Sequence, residues 1–154
     1  MSGRLIRWET PFADTLCPSV VTFVSNDPSG SYAFPLEAIV APDGIDRYPK
    51  YRINFGSPVA FSAMEEMHFP EIYFNGVEVT DNSKACSYIF QESPWLESYL
   101  QGEYFLFNQN NEDSETLMHY VIFGGDDVLQ VVTRFRPEII EIAKPGKISI
   151  ELPI

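Results

Sequence analysis

The amino-acid sequence predicts an α+β fold, a mostly antiparallel β-sheet built from hairpins with one short helix at about residues 93–101 packed on it. Three observations carry that expectation. From residue 51 onward apolar side chains recur with a period of two, the signature of half-buried strands. Two turn signals, Asn75-Gly76 and Gly124-Gly125-Asp126-Asp127, each stand between β-rich runs. Ser93-Pro94 joins a helix N-cap to proline at the first helical position.

The elements follow in order. Pro11, Pro18, Pro28, Pro35, Pro42 and Pro49 punctuate the first part of the chain. Proline fixes φ and donates no backbone hydrogen bond, so residues 1–50 read as an irregular, Pro-rich part of a single domain spanning 1–154. One run escapes, the β-branched stretch at 20–24. Tyr51, Ile53 and Phe55 then mark a strand that stops at Gly56-Ser57-Pro58, and Val59, Phe61 and Ala63 repeat the alternation. Residues 72–79 read as a hairpin on a type I′ Asn-Gly turn. A strand at 85–90 precedes the helix, whose Trp95, Leu96, Tyr99 and Leu100 share one face and whose stop is Gly102.

Residues 104–107 suggest another strand, and 108–116 are a polar, acidic loop. The runs at 119–123 and 128–135 are apolar on both faces, so their hairpin belongs at the centre of the sheet with the helix on one side. In its turn the glycines are expected to supply positive φ. The tail alternates isoleucines about Lys144-Pro145-Gly146-Lys147, a type II turn, although Pro137-Glu138 can also open a helical turn over 137–143.

Composition narrows the function classes. No stretch approaches the ~20 apolar residues of a membrane span, and no apolar h-region follows Arg4 and Arg7, so the expected compartment is cytoplasmic. Cys17 and Cys86 are too few for a disulfide scaffold and read as reduced thiols. The net charge of −12 is concentrated. Residues 53–133 carry thirteen acids and one base, Lys84, while the flanking segments nearly balance. That field repels nucleic acid and anionic lipid and favours a basic protein partner. The candidate contacts are Glu65, Glu66, Glu71, Glu112, Asp113 and Glu115.

Site chemistry is sparse. The only histidines are His68 and His119, and neither sits in a CxxC or HExxH spacing. His68 lies among Glu65, Glu66 and Glu71, yet Pro70 disfavours a helix that would align them, so it reads as a turn histidine. A Cys86–His119 nucleophilic pair lacks an orienting third group. Gly124-Gly125-Asp126-Asp127 resembles the acidic metal-binding turn of nucleotide cyclases and polymerases over four residues, and a hairpin turn accounts for it. Arg47, Lys50 and Arg52, and then Arg134 and Arg136, read as ladders opposing the acidic middle. No catalytic, cofactor-binding or metal-ligating set is assigned, and His119 is the pocket candidate.

The order Ser93-Pro94-Trp95-Leu96, His119-Tyr120-Val121-Ile122, Asp127-Val128-Leu129-Gln130-Val131-Val132 and Pro137-Glu138-Ile139 resembles small uncharacterised bacterial α+β proteins, some of them toxin-immunity-like. The resemblance implies a non-enzymatic, immunity- or inhibitor-type partner of a basic protein. Two other classes stand beside it. One is a small-molecule-binding protein or modest enzyme with a pocket near His119. The other is a nucleic-acid mimic whose carboxylates imitate phosphates.

Overall fold

A computed structural model describes residues 3–24, 35–65, 78–79, 85–101 and 117–145. Within them the β-branched and aromatic runs form ten strands. These are β1 (Arg4–Arg7), β2 (Ser19–Val24), β3 (Leu36–Ala41), β4 (Lys50–Asn54), β5 (Ala60–Glu65), β6 (Glu78–Val79), β7 (Ser87–Gln91), β8 (Met118–Phe123), β9 (Asp127–Thr133) and β10 (Glu138–Ile142). The helix, α1 (Pro94–Gln101), lies between β7 and β8. The fold is mainly β, and among the described residues every pairing is antiparallel except that of β1 with β6.

The strands make two sheets where one was expected. A six-stranded sheet has the order β5-β9-β8-β7-β1-β6, and a four-stranded sheet the order β10-β4-β3-β2. They pack face to face. Leu36, Ala38, Val40, Ile53 and Phe55 of the smaller sheet's side meet Tyr120, Ile122, Leu129 and Val131 of the larger in one buried cluster. The larger sheet also buries its other face, where Leu5, Tyr88, Phe90, Val121 and Val128 form a second cluster. This double burial is why β8 and β9 are apolar on both sides, and both are interior strands.

The first fifty residues are more regular than proline spacing suggests. They hold β1, β2 and β3 and reach the start of β4. Pro11, Pro18, Pro35, Pro42 and Pro49 all fall between strands, where no ladder hydrogen bond is required of them. The tail ambiguity resolves as strand, since β10 pairs with β4 from Glu138↔Asn54 to Ile142↔Lys50. The β8–β9 hairpin forms with the Gly124 amide bonding the Asp127 carbonyl at 2.7 Å. Neither turn glycine has positive φ, which among the described glycines occurs at Gly44 and Gly56, and Gly124 serves close approach instead. A Cβ on Gly124 would stand 3.1 Å from Val20 Cγ2 and 3.2 Å from the Pro18 carbonyl. The proposed Asn75-Gly76 turn, the strand at 104–107, the loop at 108–116 and most of the second tail arm lie outside the described residues.

Both cysteines are free. Cys17 is exposed and Cys86 buried. The Cys86 thiol donates to the Phe12 carbonyl at 3.2 Å, and burial pushes its pKa up to about 11.

Candidate functional site

The site begins with strand register. In the β8–β9 hairpin His119 stands opposite Val132, and Val121 opposite Gln130. His119 and Gln130 therefore project from the same face as diagonal neighbours, a separation that long side chains can span. On the next strand Ser62 is directly opposite Gln130. This face is the one turned away from the other sheet.

The helix start completes the arrangement. Glu92 has φ +53°, in the left-handed region, which turns the chain sharply from β7 into α1. Ser93 then caps the helix as the sequence predicts: the Leu96 amide donates to its Oγ at 2.9 Å. The same oxygen lies 2.7 Å from His119 Nδ1, and His119 Nε2 lies 2.8 Å from Gln130 Oε1. All three residues are buried, Ser93 and His119 essentially completely.

The protons in this line are assigned by satisfaction of donors. Ser93 Oγ accepts from Leu96, and among the described residues the partner for its own O–H is an unprotonated Nδ1. Nε2 then carries the ring proton and donates to Gln130 Oε1. The amide NH2 of Gln130 is left, and it meets no acceptor among the described residues. Phe90 stacks on the imidazole at 5.1 Å and 28°, and Trp95 meets it edge-on at 5.4 Å and 72°. Burial in this apolar frame lowers the His119 pKa to about 4, only partly countered by the Gln130 hydrogen bond.

Above the relay is a cavity of about 150 Å³ lined by Ser62, Met64, Phe90, Ser93, Pro94, Trp95, His119 and Gln130. No charged side chain is among these. The Ser–His pair does not make an activated nucleophile. Ser93 is completely buried and holds the helix N-terminus, and a neutral Gln130 cannot stabilise an imidazolium as a carboxylate would. The arrangement can hold a ligand by shape and hydrogen bonding.

His119 is thus where a pocket forms. The Cys86–His119 pair does not assemble, because Cys86 belongs to the core between the sheets while His119 lies on the opposite face. Glu65 ends β5 opposite Asp127. His68, Glu66, Glu71, Glu112, Asp113 and Glu115 lie outside the described residues. Among the described residues no three His, Cys, Asp or Glu cluster as metal ligands, Asp126 and Asp127 included. Arg52 is taken by Glu37, with Nη2 at 2.7 Å and Nε at 3.1 Å from its two carboxylate oxygens. Sequence reading missed Gln130, Ser62 and the second role of Ser93. The legible signal was Gln130 itself, a polar residue inside the apolar run Val128 to Val132.

No helix among the described residues is long and apolar enough to cross a membrane. No family model matches the chain, and no curated protein or solved structure is significantly similar to it.

Proposed function

We propose that this is a small-molecule-binding protein whose ligand site is the cavity over His119, and that it binds rather than transforms its ligand. The observation that carries the reading is the Ser93–His119–Gln130 relay, which ends at an aromatic-walled cavity on an amide donor that meets no acceptor among the described residues. Binding sites combine apolar walls with a few well-placed polar groups in this way. Both imidazole nitrogens are committed and the ring is neutral above about pH 4, so it shapes the site without serving as a base at neutral pH.

The test is thermal and chemical unfolding of the protein with a library of single-ring compounds. A true ligand at one hundred times its Kd should raise stability by about 2.7 kcal/mol. Ser62→Trp, placed at the cavity wall on an edge strand, should abolish the effect while leaving the fold intact. If nothing in the library stabilises the protein, or Ser62→Trp responds as fully as the native chain, the reading is wrong.

Charge distribution favours a second reading, a stoichiometric partner of a basic protein, in keeping with the resemblance to toxin-immunity proteins. Its support is that residues 53–133 hold thirteen acids beside Lys84 alone. Association through that segment should slow steeply between 0.1 M and 1 M salt, as the Debye length contracts from ~10 Å to ~3 Å. Charge reversal at Glu112, Asp113 and Glu115 should slow it similarly. An on-rate indifferent to both would count against a charged interface.

A further inference from the structure

We infer that the cavity takes a neutral planar ring carrying a hydrogen-bond acceptor, an aryl or cyclic amide, with the acceptor on the Gln130 NH2 and the ring against Phe90 and Trp95. The inference rests on reading the cavity as a ligand site and adds the chemistry of the ligand. Size sets the first limit: at about 150 Å³ the space matches cavities that hold one benzene-sized ring. The walls set the second. Phe90, Trp95, Met64 and Pro94 offer flat and polarisable apolar surface, which suits a planar ring.

Polarity sets the third. Ser93 and both nitrogens of His119 are used within the relay, so the described polar side chains left to face a ligand are the Gln130 NH2 and the Ser62 hydroxyl. The amide presents only donors, and a ligand must answer with an acceptor. An anion would supply one but would be desolvated with no cation among the described lining residues to compensate. An amidinium would place donors against donors.

Four probes of nearly one shape separate these cases: benzamide, benzoate, benzamidine and toluene. Calorimetric titration of the full chain should show benzamide binding at least ten-fold tighter than each of the other three, and Ser62→Trp should remove its binding. In Gln130→Glu, where the donor becomes an acceptor, benzamidine should overtake benzamide. If that variant does not fold, the order of the four probes on the native chain decides. Failure of all four to bind overturns the cavity as a ligand site. Equal or tighter binding of benzoate, benzamidine or toluene, blocked by Ser62→Trp, overturns the ligand class and leaves the site standing. Benzamide binding that survives Ser62→Trp is binding elsewhere and overturns both.

Discussion

Acidification from pH 7 to pH 4 should remove about 3 kcal/mol of stability through His119 alone. The size follows from a pKa lowered from 6.5 to about 4, at 1.36 kcal/mol per unit. The sign follows from proton counting. The unfolded chain takes up a proton near pH 6.5, and the folded chain cannot do so until about pH 4, so acid favours the unfolded state within that window. The contribution is fully present above pH 6.5, is lost progressively as pH falls, and changes no further below about 4. No charged group faces the ring among its described neighbours Ser93, Gln130, Phe90 and Trp95, so desolvation sets the shift. His119→Gln isolates the contribution of the histidine. Glutamine can accept from Ser93 and donate to Gln130 without titrating. Urea unfolding across pH 4–7.5 should show the native chain losing about 3 kcal/mol more stability than His119→Gln as the pH falls. Parallel curves would mean that the imidazole is hydrated, and the closed relay would then be wrong.

The relay also shows which parts of the site were legible in the sequence. Ser93-Pro94 is a local signal, and the helix starts where the cap chemistry requires. The two-faced apolarity of β8 and β9 placed their hairpin inside the larger sheet, because each face must be covered by something. What covers the inner face was not legible. That layer is a second sheet whose strands come mostly from the Pro-rich first part, and pairing such as Val20↔Val40 or Ile39↔Arg52 leaves no local mark. The pocket was half legible. His119 stood out as one of two histidines, whereas Gln130 acquires meaning only from register: it shares a face with His119 because β8 and β9 pair at Val121↔Gln130. Helix packing was legible as far as the described side chains go. Trp95 and Leu96 are half-buried, and Trp95 forms a cavity wall, while the side chains of Tyr99 and Leu100 fall outside the described part. Charge is read from composition without a fold, but the segments carrying most of the partner candidates are outside the described residues.

Phe12→Ala should cost about 3–5 kcal/mol, among the largest losses expected of a single substitution here. The position belongs to no strand, and a reading from proline spacing would assign it to an irregular appendage. Its surroundings argue otherwise. Phe12 is 1% exposed and sits in the core between the sheets with Leu36, Val40 and Ile53. Its ring lies 5.8 Å from that of Tyr51 on β4. The backbone around it is bonded to the other sheet: the Cys86 amide donates to the Ala13 carbonyl at 3.0 Å, and the Cys86 thiol to the Phe12 carbonyl at 3.2 Å. Nearby, Ser87 donates its hydroxyl to the Trp8 carbonyl at 2.8 Å and returns the Trp8 amide bond through its own carbonyl at 3.0 Å. The segment is thus a strap hydrogen-bonded along the entry to β7, with Phe12 wedged against the smaller sheet. Removing the ring leaves a cavity that the strap cannot collapse to fill without breaking those bonds, which puts the cost at the upper end of core truncations. Against a typical total stability of about 5–15 kcal/mol, that is a loss of a third or more. Leu16→Ala is the matched control, four residues on and 65% exposed, and should change stability by less than about 0.5 kcal/mol. Urea unfolding of both variants beside the native chain decides the matter. A Phe12→Ala loss below about 1 kcal/mol would mean that the strap detaches without opening the core, and that the two sheets hold together without it.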